Sequence, residues 1–461
     1  MTKKAPVRGS FRDPSGFVFF RDGVLYRQVN QRYRRHYDHL MTSGLYGHLV
    51  DAGLLVPHER ADDSRVQTAE AYRVLKPLIV PFISYPYEWS FSQYRDAALA
   101  TLAAQQAALR HGMCLKDASA YNVQFLDGRP VLIDTLSFET YREGEPWVAY
   151  GQFCRHFLAP LALMAHVDLR LGQLARVHID GIPLDMASSM LPLKTRLRFS
   201  LLAHVHAHAR SQRRYADRGT RTAKGRMSLR AMEGLADSLV SAVSRLAPRG
   251  GRTVWSEYYD QASYSQAAMT HKTEIVTEYL SRLKPAVVWD LGANTGRFSR
   301  LAAQGGSLTV SFDSDPLAVE LNYRRCRQDN ETRILPLVVD LFNPSPAIGW
   351  ENSERMSLAE RGSADAVMAL ALVHHLAIAN NVPLERLAVF FAGLADTLMI
   401  EFVPKTDSQV QRLLASREDV FDRYDRTNFE QAFGRRFEFV DVREIRDSER
   451  TMYLMRRRSA R

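Results

Sequence analysis

The residues most able to do chemistry lie in the run VVWDLGANTG, residues 287–296. An apolar strand ends in an acid, Asp290, and a glycine-rich turn then opens a helix. Gly292 and Gly296 allow backbone conformations and approaches that a Cβ would obstruct. The helix that follows turns its free N–H groups toward a carboxylate or phosphate. A dinucleotide site would show G-x-G-x-x-G. Here the pattern is G-x-N-x-G, with Asn294 at its centre and an acid before it. An anionic Asp290 suits an ammonium better than a pyrophosphate, so the turn is read as a site for a methionyl nucleoside, S-adenosylmethionine.

Two further acids extend the pattern. Asp313 ends the next apolar run 17 residues after Gly296, where a carboxylate can accept both ribose hydroxyls. Asp340 closes the third run, placed to accept an adenine amino group. Asp290, Gly292, Asn294, Gly296, Asp313 and Asp340 are therefore the expected cofactor contacts. Tyr258, in the aromatic run Trp255–Tyr259, is added as a face for the sulfonium through a cation–π contact; packing in an extra helix is the alternative. His374 and His375 follow the fourth strand, where a neutral imidazole could take a proton from an acceptor hydroxyl or amine. Glu401, ending the fifth, is a comparable catalytic candidate. No metal site is expected, because adjacent histidines point apart and no cysteine is near in sequence. In the N-terminal half, Asp117 precedes Asn122 by five residues, and a turn at Asp127-Gly128 between short strands leads to Asp134.

These residues need elements to position them. Apolar periodicity and turn signals predict a helix over 271–283, then strand 286–290, helix 296–304, strand 307–312, helix 316–328 and strand 334–340. Strand 366–371, helix 383–395 and strand 398–402 follow, and 437–445 with 451–456 reads as a closing antiparallel hairpin. The alternation predicts an α/β fold with a parallel, doubly wound sheet. Upstream, 17–29 reads as a hairpin turning at Asp22-Gly23. Residues 73–85 are β-rich, 91–111 helical, and the chain after Asp134 mostly helical to about 210. A helix is expected over 231–246.

With these motifs placed, residues 253–457 resemble the class I, Rossmann-like methyltransferases. The likeness is carried by VVWDLGANTGRFS, SFDSDPLAVE, LPLVVDLF, ADAVMALALVHHL and LMIEFVP. It implies a seven-stranded sheet whose last strand is antiparallel, with S-adenosylmethionine as cofactor. A base-flipping amino methylase is disfavoured, because no N-P-P-Y type sequence follows the fourth strand; Asn343-Pro344-Ser345-Pro346 follows the third. Residues 16–210 resemble, specifically over 110–140, the catalytic core of protein kinases and aminoglycoside phosphotransferases. That resemblance implies an α+β kinase-like domain in which Asp117 would serve an acceptor hydroxyl, and Asn122 and Asp134 would hold magnesium beside ATP. The departures are Leu115 for the usual His, Thr135-Leu136 for Phe-Gly, no glycine-rich loop near 16–29, and Arg27 where a strand lysine is expected. They favour a degenerate, substrate-holding domain over phosphotransfer.

The domains expected are 1–210, kinase-like; 211–250, a basic linker with a connecting helix; and 251–461, the methyltransferase. Of the net charge of +10 over 461 residues, residues 1–250 carry +12 and residues 251–461 carry −2. Basic stretches attract phosphates, but here the charge lies outside the catalytic half. Three scattered cysteines form no disulfide framework and suit a reducing cytosol. No signal peptide and no spanning segment is read, so the expectation is a cytoplasmic protein without a membrane partner. The acceptor is left open among protein, small molecule, saccharide and RNA, and the oligomeric state is not read. Two alternatives to a methyltransferase with a substrate-presenting domain stand: a bifunctional methyltransferase/phosphotransferase, and a non-catalytic RNA- or protein-binding module.

Overall fold

A hairpin within the first thirty residues starts the first sheet. Strands β1 (Gly16–Arg21) and β2 (Val24–Asn30) form an antiparallel hairpin. Asp22 and Gly23 both adopt positive φ, 55° and 77°, the twist a two-residue hairpin turn requires. With β3 (His58–Arg60) and β4 (Ala71–Pro77) they make a sheet of order β1-β2-β4-β3. The Ala-rich helix Phe91–Arg110 is held at its start by a capping box between Ser90 and Gln93. Next come β5 (Met113–Leu115), β6 (Val123–Leu126), β7 (Arg129–Leu132) and β8 (Phe138–Thr140). Strand β5 pairs with β8 and β6 with β7, so one hairpin is nested inside another pairing.

The structure is a computed structural model in which residues 6–208, 226–248, 265–415 and 418–459 are described. They fall into two units: Met1–Gly250 with Ala347–Met356, and Gly251–Pro346 with Ser357–Arg461. The expected partition differs in two respects. The helix Leu229–Ser244, read as a connector, belongs to unit 1, where Gln106 Nε2 donates to Asp237 Oδ1 at 2.7 Å. Residues 347–356 also join unit 1, although their neighbours in sequence are in unit 2. There Arg12 Nε donates to Glu354 Oε1 at 2.9 Å, and Arg355 lies 4.4 Å from the Tyr121 ring centroid. Ile348 packs against Tyr85, Tyr87 and Tyr121, and Met356 N donates to the Tyr85 hydroxyl at 2.8 Å, so the segment is held by contacts distant in sequence that its own pattern does not announce.

Unit 2 contains the sheet the alternation predicts: β9 (Val287–Leu291), β10 (Leu308–Asp313), β11 (Ile334–Val338), β12 (Ala364–Ala369), β13 (Ala395–Phe402), β14 (Phe437–Glu444) and β15 (Thr451–Arg457). The order is β11-β10-β9-β12-β13-β15-β14. Strand β15 runs antiparallel to both neighbours, β13 and β14, and the other pairs of the sheet are parallel. The order reverses direction at β9, where α/β sheets open a crevice at their strand C-termini. The core beneath packs Ile275, Val276 and Tyr279 of the helix Gln266–Leu283 against Val288, Met368 and Met399 of the sheet.

Candidate active site

The glycine turn after β9 is stapled to the end of β10. Gly292 N and Ala293 N both donate to Phe312 O at 2.9 Å, and Asn294 N donates to Asp313 Oδ2 at 2.8 Å. Gly292 and Asn294 take positive φ, 75° and 50°. A cavity of about 260 Å³ opens beside this turn. Asp290, Gly292, Asn294, Asp313, Asp340 and His375 all line it, so six of the ten residues singled out in this half of the sequence meet at one place.

Gly296 has a different role from the one expected. It does not line the cavity. Its φ is +78°, and a Cβ added there would lie 2.4 Å from Asn322 Oδ1. The obstruction expected of a Cβ at this position is therefore present, and its source is the helix Pro316–Gln328.

The electrostatics of the cavity are set by burial. Asp290 is 2% exposed and accepts from Ser299 Oγ at 2.6 Å. Desolvation pushes its carboxyl up to about 6, with the neighbouring Asp313 adding to the shift. Asp313 is likewise raised to about 6 by burial, against backbone N–H donors from Asp315 and Asn294 that favour its ionised form. Asp340 is exposed, and one oxygen accepts from Phe342 N at 2.9 Å. A buried and a half-buried carboxylate at neighbouring strand ends form an acceptor set suited to a cation and to hydroxyl donors. That chemistry fits the ammonium and ribose of S-adenosylmethionine.

The catalytic candidates separate. His375 lines the cavity; burial, then Arg450, lowers its imidazole to about 4. His374 does not line it. It is wholly buried, both ring nitrogens lack a hydrogen-bond partner among the described residues, and burial keeps it neutral. Adjacent positions at the start of the helical turn His375–Ala379 face different ways, so only one ring reaches the cavity. Glu401 does not line it either. Lys272 Nζ donates to Glu401 Oε2 at 2.6 Å, and Arg450 Nη1 lies 3.4 Å from Oε1. With its carboxylate enclosed by two cations, Glu401 is placed to hold Lys272 rather than to meet an acceptor. Tyr258 and the aromatic run around it lie outside the described residues.

The sequence reading missed Lys272. It lines the cavity from the helix Gln266–Leu283, fully buried, 4.8 Å from the Phe298 ring centroid. A signal existed: Met269, Lys272, Val276 and Tyr279 share one helical face, so the lysine interrupts an apolar stripe. Ala371, another missed lining residue, carries φ +52° without being glycine, and such strain concentrates at functional sites.

In unit 1 the nested pairing brings Asp117, Asn122 and Asp134 together. Asn122 Nδ2 donates to Ser137 Oγ at 3.2 Å, and Ser137 Oγ donates to Asp134 Oδ2 at 2.6 Å. Asp117 Oδ1 accepts from Gln152 Nε2 at 2.8 Å and Ser119 N at 2.9 Å. Arg27, the residue standing where a lysine was expected, forms an ion pair with Asp134 Oδ1. Burial alone would raise Asp134, but Arg27 and the Ser137 hydrogen bond outweigh it and hold the carboxyl below its ordinary value. Asp117 is raised, by burial and then by Asp134. Both Asp134 oxygens are thus engaged within the protein. Among the described residues no group of three or more His, Cys, Asp or Glu could hold a metal ion.

Strand order, glycine turn and strand-end acids together define unit 2 as a class I methyltransferase fold. No family model matches the chain. The chain is 38% identical over 463 residues to the nodulation protein NoeA of Rhizobium meliloti (strain 1021), covering 98% of this chain and 96% of that protein. It belongs to the NoeA family. Similar solved structures include magnesium protoporphyrin IX methyltransferase (ChlM) from Synechocystis PCC 6803 with bound SAH, at 17% identity and a TM-score of 0.32, covering 44% of this chain and 93% of that one. The N-methyltransferase NodS from Bradyrhizobium japonicum WM9 matches at 12% identity and 0.32, over 42% of this chain and 99% of its own. WbdD matches at 16% and 0.31, over 43% and 42%. The fold assignment rests on the strand order rather than on these superpositions.

Proposed function

We propose that unit 2 transfers a methyl group from S-adenosylmethionine to an acceptor, and that unit 1 binds or presents that acceptor. The observation that carries this reading is the convergence of Asp290, Asp313 and Asp340, from the ends of β9 and β10 and just beyond β11, on one cavity. When bound, the cofactor supplies a methyl group already activated by its sulfonium, so the protein's main task is alignment. On this reading Asp313 accepts from the ribose hydroxyls, Asp340 from the adenine amino group, and Asp290 from the methionyl ammonium.

His375, neutral above about pH 5, can accept a hydrogen bond from an acceptor hydroxyl or amine and orient its lone pair. Its low proton affinity suits orientation better than full proton removal. Lys272, held by Glu401, adds a cation to a cavity otherwise rich in acids.

Phosphotransfer is not proposed, because Arg27 occupies the carboxylate that a magnesium site would need. The basic run that would support RNA binding lies largely outside the described residues. The relative is called a nodulation protein, and we extend that setting to this chain, with the acceptor drawn from protein, small molecule, saccharide or RNA. A cytosolic location is proposed on the free, buried Cys114, Cys154 and Cys326.

The test is release of S-adenosylhomocysteine from S-adenosylmethionine on addition of acceptors from these four classes. Turnover with one class, lost in Asp313→Ala, supports the reading. Cofactor binding without turnover on any class would reduce the reading to a binding module.

A further inference from the structure

Residues 193–199 of unit 1 read Leu-Lys-Thr-Arg-Leu-Arg-Phe. Leu193, Leu197 and Phe199 are 73%, 89% and 80% exposed. Lys194, Arg196 and Arg198 between them are exposed as well and form no ion pair with a described residue. Single exposed apolar residues are ordinary; three large ones alternating with three unpaired cations within seven residues are not.

Their display is anchored. Thr195, at the centre, is fully buried. Its Oγ1 donates to Pro192 O at 2.7 Å and lies 2.9 Å from His206 Nε2, while His206 Nδ1 lies 2.7 Å from Ser188 Oγ. One inward hydroxyl thus pins the turn Leu193–Leu197 while its neighbours point to solvent. The exposure is built by the fold and is not a frayed end.

We propose that this tip docks unit 1 on an anionic membrane surface. Leu193, Leu197 and Phe199 enter the boundary between headgroups and acyl chains, and Lys194, Arg196 and Arg198 meet lipid phosphates. Apolar side chains interleaved with basic ones are the composition that binds this boundary. A protein partner fits less well, because a stable interface takes roughly 20–30 residues a side and the tip offers six exposed side chains. The surrounding sequence has the same sign: nine Lys and Arg against one acid, Asp217, from 193 to 224. The docking residues are those of 193–199 only. This contact is at the surface: among the described residues no helix is long and apolar enough to cross a membrane.

The experiment is co-sedimentation of the full chain with phosphatidylcholine vesicles, with and without phosphatidylglycerol. The full chain should sediment with the anionic vesicles, far less with the neutral ones, and less as salt rises. Replacing Lys194, Arg196 and Arg198 together by Gln should weaken anionic binding about a hundredfold, taking about 1 kcal/mol per cation near such a surface. Leu197→Ser/Phe199→Ser should weaken it without abolishing its salt dependence. These side chains are exposed, so both variants should keep the parent's circular dichroism and melting temperature. Failure of the parent to sediment, equal binding to both vesicles, or variants that bind like the parent would overturn the proposal. So would loss only on removal of the cations of 210–224, or a concentration-dependent dimer that Leu197→Ser dissolves.

Discussion

Replacing Asp290 by Asn isolates the conflict between stability and binding in the cavity. Burial moves this carboxyl from its ordinary 3.8 to about 6. A shift of that size corresponds to about 3 kcal/mol of unfavourable ionisation at neutral pH, an upper bound for one group. Because the folded-state value is raised, between about pH 4 and pH 6 the native chain holds a proton that the unfolded chain has released. Stability from this group therefore falls as pH rises through that window. Asparagine keeps the shape, and its Oδ1 can still accept from Ser299 Oγ, now 2.6 Å from Asp290. What is lost is the attraction to Lys272, the smaller term. The ligand-free variant should thus be more stable than the parent by about 1–2 kcal/mol near neutral pH, with no advantage near pH 4. Affinity for S-adenosylhomocysteine should fall about tenfold or more, since a charge-assisted hydrogen bond to the ammonium is gone. Hydrogen exchange at the β9 and β10 amides in urea reports unit 2 separately from unit 1. A variant less stable than the parent at neutral pH, or a stability difference that does not change with pH, would refute the reasoning.

Three other outcomes follow from the geometry. Gly296→Ala puts a Cβ against Asn322 at positive φ, so it should cost unit 2 about 2–4 kcal/mol; adding Asn322→Ala should relieve the overlap but not the backbone strain, read by urea unfolding. Lys272→Met and Glu401→Gln should each destabilise unit 2 by about 3 kcal/mol, and the double variant by less than their sum, with a coupling of about 1–3 kcal/mol; additive losses would contradict the buried pair. Arg27→Ala should cost unit 1 about 3 kcal/mol at neutral pH. Because Arg27 holds Asp134 below its ordinary value, the difference between parent and variant should shrink as pH falls through that range, measured by acid titration of unit 1 unfolding.

The methyltransferase fold was legible because the parallel strands β9 to β13 are short, mostly apolar runs separated by helical periods, while β14 shows the alternation of an edge strand. The acids at the first three strand ends announce themselves by position: Asp290 and Asp313 stand at the last turns of β9 and β10, and Asp340 just past β11. What escaped was the identity of neighbours across the fold. Periodicity could not tell that Gly296 faces Asn322, that Glu401 is enclosed by Lys272 and Arg450, or that His375 and not His374 reaches the cavity. Those facts are set by which chain segments meet, and single-strand patterns do not carry them. In unit 1, the spacing of Asp117, Asn122 and Asp134 anticipated a cluster, while the role of Arg27 as its internal cation is a contact between β2 and the segment after β7, 107 residues apart in sequence, which spacing does not carry.

Calorimetric titration of S-adenosylhomocysteine into the full chain, beside Asp313→Ala, addresses the central claim most directly. The account predicts one site per chain in the parent and an affinity loss of at least tenfold in the variant, whose fold is checked by β10 amide exchange. Unchanged affinity in a folded Asp313→Ala, or no binding by the folded parent, would contradict the assignment of this cavity to the cofactor.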